Sequence, residues 1–186
     1  MLCILALAPA LALQRSHIER GDETLMRQRA HGTCQRAVPQ SLRWSVEHAT
    51  ADNICCFNRH YAEGGGSYKQ NAQYMSEVRR GGEITYYDSA TGKPLFVAPK
   101  GRTVDEFLEE SARHGWPSFR SSEVVWEHVR VLSDGETVSV DGTHLGHNIP
   151  DAQGARFCIN LCSVAGLPPA RRVTQDDVRR ALRRQG

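Results

Sequence analysis

The middle of the chain alternates between apolar and polar positions with two spacings, which predict one helix and a series of short strands. From residue 103 to 114 the apolar positions recur every three or four residues, and Thr103 with Glu106 has the form of a capping box. This stretch therefore predicts a helix. Residues 84–87 and 95–98 are rich in β-branched, aromatic and apolar side chains and predict two strands separated by a turn.

Beyond residue 123 the pattern changes to short strands separated by turns. The segment Ser133-Asp134-Gly135 is typical of a hairpin turn, with residues 137–140 as the returning strand. Residues 157–164 are apolar and β-branched enough to predict a buried strand. Earlier in the chain, the consecutive glycines at 64–66 predict a loop, because they are free to adopt positive φ. The pattern as a whole favours a mainly β fold.

The two ends of the chain differ from this middle part. Residues 1–13 are apolar, and Ala10-Leu11-Ala12 has the small-x-small form that precedes signal-peptidase cleavage, which predicts a signal or targeting segment. The alternative is a mis-started N-terminus, because no basic residue precedes the apolar run. A secretory or plastid destination would follow from the first interpretation and a cytoplasmic one from the second. We divide the chain into a targeting segment over 1–13, an extension over 14–50, a domain over 51–168 and a basic C-terminal helix over 169–186.

The composition excludes several classes of protein. The chain has 186 residues, of which 40% are hydrophobic and 24% are charged, which is typical of a globular protein. A net charge of +2 is too balanced for a nucleic-acid binder. The N-terminal apolar run is shorter than the ~20 residues that cross a bilayer. We expect a monomer with no nucleic-acid partner and no membrane span.

Three short segments carry residue types that are suited to chemistry. They are residues 114–119 (HGWPSF), 143–151 (THLGHNIPD) and 156–160 (RFCIN). Cys158 is either an inert buried residue or a nucleophile, and Arg156 and the histidines would supply the positive charge that a thiolate needs. Trp116 either packs in the core or forms one wall of a pocket for a small apolar group.

The second segment also allows a metal site. His144, His147 and Asp151 have the donor types of a two-histidine-one-carboxylate centre. The alternative is that the two histidines make only local hydrogen bonds in a glycine-containing loop. The residues alone leave both interpretations open.

Taken together, in this order and at this spacing, the three segments resemble the methionine-R-sulfoxide reductases, the B-type or SelR domain. That family shows Gly-Trp-Pro-Ser-Phe, then His-Leu-Gly-His, then Arg-Tyr/Phe-Cys-Ile-Asn, which here stand at 115–119, 144–147 and 156–160. Pro94-Leu95-Phe96 is similar to a further family segment. The resemblance covers about residues 80–166. It implies a fold of two antiparallel β-sheets with short peripheral helices.

The resemblance also implies a role for each matched residue. Cys158 matches the attacking cysteine, and His144, His147 and Asp151 match positions that bind, orient and protonate the substrate. The residues that would shape the substrate pocket are Trp116, Asp151, Arg156, Phe157 and Asn160. The implied activity is the thiol-dependent reduction of methionine-R-sulfoxide in peptides or proteins, through a sulfenic acid on Cys158.

Two departures from the family pattern matter. The four zinc-binding cysteines of zinc-bearing members are replaced, so we expect no structural zinc and no other cofactor. The residues in their places are Asp88, Thr91, Val138 and Asp141. The second departure is that His114 occupies the place of the recycling cysteine.

The thiol that reduces the sulfenic acid must therefore come from elsewhere. The candidates within the chain are Cys55, Cys56 and Cys162. We expect no bond between Cys55 and Cys56, because a disulfide between neighbouring residues strains the backbone. The alternative is an outside reductant, either a thioredoxin-like protein or a small thiol such as glutathione.

Two other functions stay open. The missing recycling cysteine is compatible with a degenerate domain that binds methionine or its sulfoxide without turnover. The histidines and Asp151 are compatible with a metal-dependent enzyme.

Overall fold

The computed structural model describes residues 17–169, so the predicted N-terminal targeting segment and basic C-terminal helix lie outside the described residues. The described part contains helices α1 to α3 and strands β1 to β7. The helices are α1 (His48–Cys56), α2 (Ala72–Arg79) and α3 (Val104–His114). The strands are β1 (Ile84–Tyr87), β2 (Pro94–Ala98), β3 (Ser118–Arg120), β4 (Val129–Val131), β5 (Glu136–Ser139), β6 (His144–Asn148) and β7 (Arg156–Ile159).

The strands form two antiparallel sheets. One sheet contains β1 and β2, and the other has five strands in the order β3-β7-β6-β5-β4. Strand β7, which carries Cys158, therefore lies between β3 and β6 rather than at an edge. The prediction of a mainly β fold with two antiparallel sheets and short helices is confirmed.

Helix α3 begins and ends as its sequence predicts. The side chain of Thr103 accepts a hydrogen bond from the backbone of Glu106, and the Glu106 side chain accepts one from Thr103 in return. The helix buries Phe107 on its inner face. It ends at Gly115, whose φ of 91° is left-handed and suits glycine.

Two stretches differ from the sequence predictions. The predicted strand over 157–164 ends at Ile159, and the chain then forms a 3-10 turn over Leu161–Ser163. An apolar run does not distinguish a buried strand from a buried turn, which explains the error.

Helices α1 and α2 were not predicted, because with nine and eight residues they are too short to show a sustained helical period of apolar positions. Polar side chains cap both: Glu47 accepts hydrogen bonds at the start of α1, and Asn71 does so at the start of α2.

The main core lies between the two sheets and is largely aromatic. Phe96 and Phe119 stack with their ring centroids 4.3 Å apart, and Tyr86 meets Phe119 edge to face. The extension contributes to this core through the buried Trp44. Its polypeptide is also tied to the fold by a backbone hydrogen bond from Arg43 to Ala165. None of the helices in the described residues combines the length and the hydrophobicity that a membrane crossing needs.

Candidate functional site

Cys158 lies on strand β7, which is an inner strand of the sheet, between one residue of each neighbouring strand. The register pairs Cys158 with Ser118 on β3 and with His147 on β6. Side chains paired in this way project from the same face of a sheet. The Ser118 hydroxyl is 3.8 Å from the Cys158 sulfur. Cys158 is largely buried, with 9% of the residue exposed.

Arg156 brings a positive charge directly to this sulfur. It precedes Cys158 by two residues on β7 and therefore shares its face. One guanidinium nitrogen, Nη1, donates to the Cys158 sulfur at 2.6 Å. The Arg156 side chain is only 6% exposed, so water screens its charge weakly. A buried guanidinium therefore lies within hydrogen-bond distance of the Cys158 sulfur.

The two histidines meet because of an irregularity in strand β6. In a regular strand, residues three apart point to opposite faces. Here the pairing of β5 with β6 shifts register between Thr137 and Val138, which leaves Leu145 as an extra residue. The His144 and His147 rings consequently lie 5.7 Å apart, edge to face.

Gly146 allows β6 to approach β7 closely at this bulge. A Cβ atom at position 146 would lie 2.1 Å from the backbone oxygen of Cys158. Any other residue would push the two strands apart and separate His147 from Cys158. The close approach of β6 to β7 therefore explains why the His-Leu-Gly-His segment has glycine at position 146.

Glu136 fixes the orientation of His144, and the sequence did not reveal it. Oε1 of Glu136 is 2.7 Å from Nδ1 of His144, and both side chains are buried. Arg59 donates to the same carboxylate at 3.0 Å. Burial alone would raise the pKa of Glu136, but the hydrogen bonds from His144 and Arg59 outweigh it and hold the pKa below its ordinary value. An ionised Glu136 keeps the proton of His144 on Nδ1 and turns Nε2 away from the carboxylate.

His147 is the imidazole that faces Cys158 across the strand pair. Its pKa is lowered, first because burial disfavours the charged form and second because the charge of His144 repels a proton. A lowered pKa makes the protonated ring a readier proton donor.

A loop fixes the positions of Trp116 and Asn160 through one residue, Glu63. The Trp116 indole nitrogen donates to the Glu63 backbone oxygen at 2.9 Å. The Glu63 backbone nitrogen donates to Oδ1 of Asn160 at 3.0 Å. The glycines at 64–66 follow in the predicted loop, and a Cβ at Gly65 would lie 3.6 Å from the indole ring. Trp116 is half-buried.

Asp151 pairs with two arginines and acts as an anion. Its oxygens accept from Arg120 at 2.9 Å, and Oδ2 lies 3.4 Å from Nε of Arg156. The hydrogen bond from Arg120 lowers the pKa of Asp151 to about 2. Asp151 is therefore ionised at neutral pH and orients Arg156, and its role towards a substrate stays a prediction.

Phe157 does not join the group. It alternates with Cys158 on β7 and so projects to the opposite face, where it packs in the core against Trp126 with ring centroids 5.8 Å apart. The prediction that Phe157 contacts the substrate is therefore not supported by its position.

The other cysteines of the described residues lie in a separate cluster. Cys34 and Cys56 form a disulfide, and Cys55 makes no bond to Cys56, as the sequence predicted. Cys55 and Cys162 are free and fully buried, and burial raises the pKa of both thiols. Cys56 has no free thiol in this disulfide. The three predicted recycling candidates thus lie away from the group around Cys158 and share one apolar cluster.

The predicted metal ligands do not converge. Among residues 17–169, His144, His147 and Asp151 do not bring their donor atoms together, since Asp151 is held by arginines. The turns where the zinc cysteines would align are instead joined by polar contacts. Thr143 donates to the buried Asp88 at 3.0 Å, and Lys93 pairs with Asp141 at 2.8 Å.

A cavity of about 850 Å³ adjoins the site at Arg120. Trp126, Ala155 and Gln153 line it together with charged residues of helix α3. Cys158 and the two histidines do not line it. The cavity is therefore separate from the group of side chains around Cys158.

The comparisons with known proteins give no independent identification. No protein-family model matches the chain, and the comparison with curated proteins found no match.

Proposed function

We propose that this protein reduces the R epimer of methionine sulfoxide in peptides or proteins, with Cys158 as the attacking thiolate. The observation that carries the proposal is the contact between the Cys158 sulfur and the buried Arg156 guanidinium, with the His147 imidazole paired across the strands. A nucleophile, a charge that activates it and a proton donor are the parts that sulfoxide reduction requires.

The first half-reaction transfers one oxygen atom. The Cys158 thiolate attacks the sulfoxide sulfur and forms an S–S bond, while His147 protonates the oxygen, so that the S–O bond of the substrate breaks and the oxygen leaves as hydroxide. The hydroxide then attacks the Cys158 sulfur, which forms a new S–O bond on Cys158 and breaks the S–S bond. The cysteine sulfur loses two electrons and becomes a sulfenic acid, while the substrate sulfur gains two and becomes the thioether of methionine. Arg156 and Ser118 lie beside the reacting sulfur throughout.

The exposed part of the half-buried Trp116 indole would bind the methyl group of the substrate. The Trp116 ring is held by its hydrogen bond to Glu63. The Ser118 hydroxyl donates to the backbone oxygen of Trp116 at 3.0 Å, so the ring and this hydroxyl are positioned together. An aromatic face binds a small apolar group and leaves the polar S–O bond to turn towards the imidazole. This arrangement distinguishes the two epimers, because exchanging oxygen and methyl would place the oxygen on the indole.

The second half-reaction uses a thiol from outside the chain. The sulfenic acid condenses with a first thiol to give a mixed disulfide and water, and a second thiol releases Cys158 and forms a disulfide between the two outside thiols. Cys55 and Cys162 are sealed in an apolar cluster and form thiolates poorly, which argues against them as the reductant.

The test is an assay on peptides that contain one resolved epimer, with glutathione or a dithiol as reductant. We expect turnover of the R epimer only, and we expect Cys158→Ser to lower it by roughly three orders of magnitude or more. The matched control is Cys162→Ser, which removes a thiol that is four residues away and should retain activity. Turnover that survives Cys158→Ser, or that acts on the S epimer alone, would refute the proposal.

The same assay separates the proposal from a binding domain without turnover, the alternative favoured by the lack of a second thiol beside Cys158. Such a domain would reduce at most one sulfoxide per chain, whatever thiol is supplied.

A further inference from the structure

The Cys34–Cys56 disulfide lies beside a histidine and an aspartate that the Cys158 site does not use. Nε2 of His31 is 2.8 Å from Oδ2 of Asp52. Donor atoms of His31, Asp52 and Cys56 all lie within 4.8 Å of one another. The sulfur of Cys34 is bonded to that of Cys56. Two sulfurs, an imidazole nitrogen and a carboxylate oxygen therefore meet in one small volume.

Two of these residues are held by a closed turn. The backbone nitrogen of His31 donates to the oxygen of Cys34 at 3.0 Å, and the nitrogen of Cys34 donates to the oxygen of His31 at 2.9 Å. Gly32 lies between them with a φ of 59°, and a Cβ there would come within 1.9 Å of the backbone oxygen of Cys56. Glycine thus lets the turn lie directly against the end of helix α1.

The other two residues share one face of helix α1. Asp52 and Cys56 are four residues apart, which brings their side chains one above the other. The turn is fastened to this helix by a hydrogen bond from the Thr33 backbone nitrogen to the Cys56 oxygen, 2.8 Å long. Backbone contacts other than the disulfide therefore hold the four side chains in register.

The donor set is the one that zinc prefers. Zinc takes four ligands from cysteine sulfur, histidine nitrogen and carboxylate oxygen, and tetrahedral geometry places such ligands roughly 3.3–3.8 Å apart. The donors of His31, Asp52 and Cys56 already lie within 4.8 Å of one another, and the sulfur of Cys34 would move away from that of Cys56 once the bond between them is reduced. The Val38 backbone nitrogen also donates to Oδ1 of Asp52 at 2.8 Å, which orients the carboxylate as an outer contact orients a metal ligand.

We propose that reduction of the Cys34–Cys56 disulfide turns this group into a zinc site with the ligands Cys34, Cys56, His31 and Asp52. Two outside thiols supply the two electrons and leave as their own disulfide, and the two cysteines then lose their protons as they bind the ion. The sulfurs are buried, but the side chains of His31 and Asp52 are 29% and 17% exposed, so the ion enters from their side. The site is separate from the turns at Asp88 and Asp141.

The experiment is a zinc titration of the full chain in its oxidised and reduced forms. One sample keeps its disulfide, and the other is reduced with a phosphine, freed of it and kept without oxygen. We expect one zinc per chain in the reduced sample and none in the oxidised sample. Cobalt in place of zinc should give the visible absorption of a tetrahedral ion with thiolate ligands, again only after reduction.

Two variants test the ligands without removing either cysteine. His31→Asn and Asp52→Asn keep the disulfide, so circular dichroism of the oxidised protein checks their folding, and each should weaken zinc binding by at least about tenfold after reduction. The matched control is Cys55→Ser, which removes the thiol next to Cys56 and should retain full binding. The proposal is overturned if the reduced chain binds no zinc, if the oxidised chain binds it equally, if either variant binds like the unaltered protein, or if Cys55→Ser abolishes binding. None of these readouts depends on sulfoxide reduction.

Discussion

Cys158 and Cys162 are only four residues apart, yet they lie in opposite chemical environments. Cys158 is 9% exposed, and its sulfur receives a hydrogen bond from a guanidinium. Cys162 is fully buried, and its pKa is raised by burial and further by the charge of Glu63. The change occurs where strand β7 ends at Ile159, because the following turn directs Cys162 into the neighbouring cluster.

The difference teaches that the neighbouring strands, together with Arg156 on the same strand, set the surroundings of Cys158. Strand β6 places an imidazole beside Cys158, and strand β3 places a hydroxyl there. The cluster around Cys162 offers mainly apolar groups such as Ala51 and Ile54. Burial in the second environment disfavours a thiolate and raises the pKa of Cys162, whereas the first environment places a guanidinium beside the sulfur.

The largest expected effect that would test this comparison is that of His147→Asn. If His147 protonates the departing oxygen, the variant should lose roughly two to four orders of magnitude in turnover, which is what a general acid contributes. The pH profile gives a second readout. The pKa of His147 lies below its ordinary value of 6.5. Because an acid must be protonated to act, turnover should fall as the pH rises through that lowered pKa.

The variant should lose this descending limb, so its profile should be flat where that of the unaltered protein falls. His48→Asn is the control, since His48 contacts the backbone oxygen of Val38 far from β6. An unchanged pH profile in His147→Asn would assign the proton to another group.

The sequence predicted which residues carry the chemistry, but it did not predict the contacts that depend on strand pairing. Cys158, Arg156 and the two histidines stand in short segments whose residue types indicate reactivity. The side-by-side placement of the histidines could not be predicted, because it depends on a register shift opposite Thr137 and Val138 on another strand. In the fold, the capped helix α3 was predictable because its start and its apolar face are both local signals.

Glu136 and Glu63 show what the sequence leaves out. Glu136 stands in a short strand and has the appearance of a surface residue, and only the pairing of β5 with β6 buries it against His144. Glu63 acts mainly through its backbone, which any residue possesses, so no pattern of side chains marks it. Contacts of this kind arise from tertiary packing rather than from local propensity.

An intermediate effect is expected for Arg156→Gln, measured by alkylation. The guanidinium stabilises the thiolate by about 1.5–3 kcal/mol, the value of a hydrogen bond to a charged group, so Cys158 should react with iodoacetamide roughly ten to a hundred times more slowly in the variant. Cys55 and Cys162 should stay unmodified in both folded proteins, as peptide mass mapping will show. Arg130→Gln, on the far edge strand β4, is the control. Labelling of Cys162 as fast as Cys158 would contradict the comparison itself.

The smallest expected effect is that of Glu136→Gln, which keeps the shape of the side chain and removes its charge. A single hydrogen bond contributes about 0.5–1.5 kcal/mol, so turnover should fall by roughly threefold to tenfold. The negative charge of Glu136 also raises the pKa of His147 and so partly opposes the lowering by burial and by His144. Removing this charge should therefore lower the pKa further and move the descending limb of the pH profile to lower pH. A purely structural role would lower turnover without moving that limb. Glu23→Gln is the matched control, because Glu23 pairs with the same Arg59 but is 60% exposed, and it should leave both readouts unchanged. If the descending limb of the pH profile does not move in Glu136→Gln, then the charge of Glu136 does not affect the pKa of His147.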